Sequence, residues 1–502
     1  MKKRLFFHKA VTGLFILLLM SACDNDVTDV PENVEEEQEE EETITIDQET
    51  LATNRWIKEN MEYYYYWNDQ LPDTTELNYK TEDDPEEYFY KLLYQDDSWS
   101  WITDDYASLA EEYGLSSENH TKGIAADMGY DPAFYTFSDG VSVFIVVNYV
   151  YPSSAAELAG LKRGNIILTI NGTELDTTNY YDLYSGSAYS VELGKITVSG
   201  NSLYLSDSGK SLNLTATSGS FDPAVYHDVI DTLGYKIGYL AYTEFVSGTN
   251  DAYLSSLDAV FSEFKSAGVT DLIVDLRYNP GGLIDAAARL ASEIAPASNV
   301  NARDILVNLM YNDDYQAEIE KSYPEELYYK FENISTNLNL NKVYFLATWA
   351  TASASELVIT GLEPYMNVVH IGESTYGKYV GAYILPDDNE EWAMLPIVMK
   401  YANANGYTDF ADGLTPDYEV YDDLIYDDPS INDDLVYSYP LGNTSDAMTK
   451  KAIQLISGTG TTSVATRSKS VLSSQFRRYV PMSNKFGLKR NLFVPIKRLD
   501  NN

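Results

Sequence analysis

Val343-Tyr-Phe-Leu-Ala347-Thr-Trp-Ala-Thr-Ala-Ser353-Ala-Ser-Glu356-Leu-Val-Ile-Thr-Gly-Leu362, followed by Asn367-Val-Val-His-Ile-Gly372, contains a strand, a helix and a second strand in succession. Val343–Ala347 is a short apolar run rich in strand formers. Ser353, with Glu356 three residues later, has the S-x-x-E spacing of a helix start. Val368–Gly372 is again strand-like. A strand-helix-strand unit implies a parallel strand pair.

The same alternation runs through residues 221–458: strand Ile237–Tyr242, helix Ala252–Ala267, strand Asp271–Leu276, helix Ile284–Ile294. An α/β core is expected there, with its chemistry on loops at strand ends. Upstream, 48–117 shows helical spacing of Trp56, Ile57, Met61, Tyr64, Tyr65, Tyr88, Phe89 and Leu92, read as a small N-terminal helical domain. The stripe Tyr63–Tyr66 suits a helical core better than a sugar platform.

Residues 118–220 change to short β-type runs separated by Gly and Asn turns. They include Tyr151-Pro-Ser-Ser-Ala-Ala-Glu-Leu-Ala-Gly160-Leu-Lys-Arg-Gly164-Asn-Ile-Ile-Leu-Thr-Ile-Asn-Gly172. Ala155–Ala159 reads as a short helix ended by Gly160, and Ile166–Ile170 as a strand closed at Asn171-Gly172. This segment resembles a PDZ domain of the bacterial protease type, with Asn165 where Asp is usual and Ser154 where Pro is usual. The resemblance implies peptide binding by strand addition, with Gly123, Ile124 and Ala125 as candidates for the carboxylate loop and edge strand.

Ser353 stands among small residues that let a substrate backbone approach, at a helix start whose dipole favours negative charge. A serine hydroxyl needs a base to become a nucleophile, and acyl transfer needs donors for the oxyanion. Lys378 closes Gly372-Glu-Ser-Thr-Tyr-Gly-Lys378, 25 residues after Ser353. Taken singly, Ser353 reads as an N-cap and Lys378 as a surface charge. They stand, however, in order with Asp275-Leu-Arg-Tyr-Asn-Pro-Gly281-Gly282 and Gly413-Leu-Thr-Pro-Asp417.

This set, over roughly 118–425, resembles the carboxy-terminal (tail-specific) processing serine peptidases, closest in texture to their Bacteroidetes-type, PDZ-containing lipoprotein branch. The resemblance implies a ClpP/crotonase-like α/β catalytic core with a PDZ-like β-rich domain and a small N-terminal helical domain. It implies Ser353 as nucleophile, Lys378 as base, and the backbone N–H groups of Gly281 and Ala354 as oxyanion hole. Glu356 is either a third catalytic or orienting group or a helix cap. Some relatives carry Gln four residues after the lysine; Ala382 stands there, so another group must orient Lys378. The substrates implied are extended or unfolded polypeptides recognised through their C-terminal ends.

Asp275 and Arg277 read as a structural pair bracing the Gly281 loop. Of the histidines beyond the leader, His120, His227 and His370, none sits in a motif, and His370 suits a core strand. No metal-ligand spacing or Walker-type glycine pattern occurs, so no cofactor is expected. A net charge of −43 repels nucleic-acid phosphates and excludes that class of partner.

The first 22 residues form a basic start, a short apolar run and small residues before Cys23, the sole cysteine. This is a secretory leader with a lipobox-like end, Met20-Ser21-Ala22-Cys23, and the run is too short for a bilayer span. Residues 23–47 form an acidic tether. They resemble the export signal of surface lipoproteins in Bacteroidetes-like bacteria, which implies a cell-envelope protein held at the outer membrane by lipid on Cys23, with its membrane face left open. Residues 459–502 carry nine Lys/Arg and one acid, read as a flexible tail or a docking arm. Rival readings are a catalytically idle surface peptide- or glycan-binding lipoprotein and a PDZ scaffold indifferent to Ser353. Cys23→Ala is expected to abolish membrane association of the processed chain; a processed Cys23→Ala chain still fractionating with membranes would contradict the lipid anchor.

Overall fold

The computed structural model describes residues 46–73, 77–112, 126–199, 202–218, 221–408, 410–422, 424–425, 433–459, 477–478 and 492–495. Cys23, the tether, His120, Gly123, Ile124 and Ala125 therefore lie outside the described residues. No helix among the described residues is long and apolar enough to cross a membrane.

The α/β core is built on a six-stranded sheet in the order Tyr226–Thr232, Tyr235–Ala241, Asp271–Asp275, Lys342–Ala347, Asn367–Gly372, Tyr418–Glu419. All neighbours pair in parallel except the first two, which form a hairpin. Parallel neighbours require crossovers, and helices Ala252–Ala267 and Ala354–Leu362 supply two of them. Helix Ala354–Leu362 is buried along its whole length. It contacts Asn367–Gly372 of this sheet and Ile305–Tyr311 and Ile397–Asn403 of an eight-stranded second sheet, which explains why its sequence is apolar apart from Ser355, Glu356 and Thr360, whose side chains are hydrogen-bonded in place.

The N-terminal segment has the expected helices, Gln48–Tyr64 and Pro85–Leu92, started by Asp47 and Asp84 side chains that accept N–H groups of the first turn. Its interior, however, is not separate. Ile57, Met61, Tyr65 and Phe89 join the same hydrophobic cluster as Leu357 and Val358, and strand Trp101–Thr103 pairs with Ala393–Leu395 of the second sheet. Tyr65 is wholly buried and donates its hydroxyl to Asp97 at 2.7 Å, a core role for the tyrosine stripe.

The PDZ region is an antiparallel sheet. Ser154, in the usual proline's place, caps helix Ala155–Ala159 by accepting the Glu157 N–H at 3.1 Å. Asn165, in the usual aspartate's place, accepts the Lys162 N–H at 2.8 Å and donates to the Leu435 carbonyl at 2.7 Å, a bond a carboxylate could not make.

Candidate active site

Ser353 precedes helix Ala354–Leu362 with φ +60° and ψ −113°, a conformation L residues rarely adopt and that functional sites often hold against strain. Its Oγ is buried and has no hydrogen-bond partner among the described residues, Lys378 included. The helix start is capped from one side only: Glu356 Oε2 accepts the Ser353 N–H at 2.7 Å, while the serine hydroxyl is not spent on the cap.

Glu356 organises the site. Its Oε2 also accepts the Lys378 N–H at 2.9 Å, and its Oε1 accepts the Gly377 N–H at 2.7 Å and the Thr375 hydroxyl at 2.6 Å. One carboxylate thus holds the backbone of Ser353 and of the loop ending at Lys378. Burial pushes the Glu356 pKa up to about 7, against the four donors, which favour the ionised form. Tyr401, on strand Ile397–Asn403, donates its hydroxyl to the carbonyls of Ser353 at 3.0 Å and Lys378 at 2.8 Å. Ser353 and Lys378 are therefore tied at both N–H and C=O by the same two side chains. Ala382 is buried on the following strand, and the bonds from Glu356 and Tyr401 fix the backbone of Lys378.

Lys378 is wholly buried, and burial pulls its pKa from 10.5 down to about 7; the carboxylates of Asp97 and Glu356 act the other way. Asp97 is held by the Ser100 hydroxyl and the N–H groups of Trp99 and Ser100, so the N-terminal segment contributes charge to the site.

The Gly281 loop packs directly on the serine. Gly281 has φ +112°, and a Cβ there would stand 2.8 Å from the Ser353 Cβ, so only glycine fits. Asn279 braces the loop: its side-chain amide donates to the Tyr242 carbonyl at 3.0 Å, and its backbone carbonyl accepts the Ala352 N–H at 3.1 Å. Its Oδ1 accepts the Gly281 N–H at 2.9 Å, so that expected oxyanion donor is engaged inside its own loop. Ala354 is the first helical residue, where the helix offers its N–H no acceptor. The Gly413–Asp417 motif fixes the Lys378 loop: Thr375 Oγ1 accepts the Leu414 N–H at 2.7 Å, and Asp417 accepts the His370 N–H at 2.8 Å.

Arg277 is a brace. It bonds Asp275 at 2.9 and 3.0 Å through Nε, Asp446 at 2.9 Å and Asp422 at 3.0 Å. His370 is buried on its strand, its ring unbonded among the described residues, and burial lowers its pKa to about 4. Its backbone, rather than its ring, meets Asp417. Among the described residues no cluster of three or more His, Cys, Asp or Glu side chains could hold a metal ion.

Residues 236–420 match peptidase family S41, residues 52–101 the N-terminal domain of that family, and residues 146–191 a PDZ domain. Residues 236–420 of the chain belong to peptidase family S41. The chain thus joins a serine-type peptidase region with an α/β core to a PDZ domain and an N-terminal segment. Its relatives include a carboxyl-terminal-processing protease of Picosynechococcus sp., 24% identical over 47% of this chain and 51% of that protein. A chloroplastic C-terminal processing peptidase of Tetradesmus obliquus is 23% identical over 61% of this chain and 62% of that one. The match thus spans between half and two thirds of these relatives' lengths. A crystal structure assigned as an S41 protease from Bacteroides fragilis is 28% identical with a TM-score of 0.64, covering 81% of this chain and 98% of that one.

Thr375, Tyr401, Asn279 and Asp97 were not singled out by sequence reasoning. Thr375 and Asn279 lie inside motifs already marked, but Tyr401 is one of 43 tyrosines and carries no local signal. Because Glu356 satisfies four buried donors, Glu356→Gln, whose amide presents N–H to some of them, is expected to destabilise the fold by about 2–4 kcal/mol in urea unfolding. A loss below about 1 kcal/mol would mean that the carboxylate is not the anchor.

Proposed function

We propose that the chain is a lipid-anchored serine endopeptidase that cuts extended or unfolded polypeptides with a Ser353/Lys378 dyad, engaging their C-terminal ends through the PDZ region. The observation that carries this reading is a strained serine whose hydroxyl is unspent and a buried lysine, the backbone N–H groups of both held by Glu356. A lysine at an ordinary pKa is protonated near neutrality and cannot accept a proton; one lowered to about 7 can.

Neutral Lys378 takes the Ser353 proton as Oγ attacks the scissile carbonyl carbon. The Oγ–Nζ hydrogen bond is not made in the resting chain, so it forms as substrate enters, as such bonds often do. The resulting ammonium gives its proton to the departing amine nitrogen, leaving an acyl-serine. Lys378 then deprotonates water for deacylation and returns the proton to Oγ. Ala354 N–H serves the oxyanion, and Gly281 N–H joins it by leaving the Asn279 side chain. Glu356 positions both partners, since its lone pairs are already occupied. Cys23 would tether the enzyme to the outer membrane by lipid, on the strength of the leader and lipobox.

Cleavage of an unfolded, labelled polypeptide should rise about tenfold per pH unit below pH 7 and level off above it, because protonated Lys378 is inactive below its pKa. Chelators should leave it unchanged. Ser353→Ala should eliminate it, and Lys378→Arg should lower it by about 10²–10⁴-fold, as a guanidinium keeps its proton. Turnover by a folded Lys378→Arg chain within about tenfold of the unaltered chain, or a profile still rising at pH 10, would contradict the dyad.

A further inference from the structure

Beyond residue 459, two short described stretches pair with the body. Arg477–Arg478 adds antiparallel to Tyr135–Thr136, at the edge of the PDZ sheet. Leu492–Pro495 lies as a strand between two others. On one side it runs parallel to Gly282–Leu283, pairing Leu492 with Gly282 and Phe493 with Leu283. On the other it runs parallel to Val380–Pro386, pairing Phe493 with Ala382, Val494 with Tyr383 and Pro495 with Ile384.

These two flanks identify the slot. Gly282 follows Gly281, which packs on the Ser353 Cβ, and Val380 stands two residues after Lys378. The flanks do not pair with each other; each pairs with the inserted strand. The gap between them is therefore one extended strand wide, about 9–10 Å from flank to flank. It lies between the loop that touches the nucleophile and the strand that leaves the base. An extended polypeptide reaching Ser353 by strand addition would need the backbone groups that Leu492–Pro495 now occupies.

Charge and connectivity favour this occupant. The segment after 459 carries nine Lys/Arg and one acid on a chain of net charge −43, so attraction to the body is strong at low salt. A tethered strand also meets the slot at an effective concentration in the millimolar range. We propose that residues 477–478 and 492–495 are a built-in competitive inhibitor, holding in cis the PDZ edge and the strand slot that an extended substrate would take. The proposal rests on the peptidase reading for its kinetic consequence, but strand occupancy can be tested without turnover.

The test compares the full chain with a Phe493→Pro/Val494→Pro chain, since proline removes the N–H groups that both ladders need. If the slot is open for about a tenth of the time, the double variant should show a KM for a labelled unfolded polypeptide about tenfold lower, with kcat unchanged. A synthetic peptide of residues 487–499 should inhibit the variant competitively, and its double-proline counterpart should not. The single Val494→Pro chain serves where the double variant does not fold. Binding is read separately, by anisotropy of the labelled 487–499 peptide on a Ser353→Ala/Phe493→Pro/Val494→Pro chain. Peptide binding without turnover by any chain would keep the slot assignment and remove the peptidase reading. Equal KM values with no binding of the 487–499 peptide would overturn the proposal.

Discussion

The serine turn and the lysine loop are both held by one buried carboxylate. Glu356 sits at the third position of a helix enclosed between two sheets, and its oxygens accept N–H groups from Ser353, Gly377 and Lys378 and the Thr375 hydroxyl. A carboxylate in a dry interior is costly unless its lone pairs are filled. The fold fills them with groups from the serine turn and the lysine loop, so burying the charge and bringing those loops together are one event. Tyr401 closes the same frame from the carbonyl side.

The scaffold outside this frame transmits position over longer range. Arg163 of the PDZ region reaches Asp422 at 3.0 Å and the Tyr439 carbonyl at 2.9 Å, and it contacts Tyr278. Asp422 also meets Arg277, which bonds Asp275 and Asp446. Tyr278 and Arg277 immediately precede Asn279, whose side chain and carbonyl hold the Gly281 loop on the serine turn. A chain of buried charge pairs therefore runs from the PDZ domain to the loop that ends at Gly281. Burial pushes the carboxyls of Asp446 and Asp422 up, but the guanidinium groups of Arg277 and Arg163 outweigh it and hold both below the ordinary carboxylate value, so the network stays ionised at neutral pH. Loss of one member would leave its partner buried and unpaired, which costs more than the pair contributes.

Much of this was legible in the sequence because it is local. The strand-helix-strand rhythm, the S-x-x-E start at Ser353, the helix and turn of the PDZ segment and the Asp275/Arg277 brace are each set by residues a few positions apart. What escaped notice depends on distant partners. Tyr401 meets Ser353 across 48 residues and Arg163 meets Asp422 across 259, and neither contact leaves a periodic or spacing signal. The tyrosines of 48–117 announced a core, but not that this core would merge with the catalytic one. The Gly281 N–H was expected to be free for an oxyanion; the Asn279 side chain two residues earlier folds back onto it, an Asx turn that N-P-G-G permits but does not dictate.

The most direct test of the account is the rate at which a fluorophosphonate labels the chain as a function of pH, with the modified residue mapped by peptide mass. A serine activated by a lysine whose pKa is lowered to about 7 predicts a single adduct on Ser353, formed at a rate that is half-maximal near pH 7. An adduct on another residue, or labelling of Ser353 at a rate indifferent to pH between 5 and 9, would contradict it.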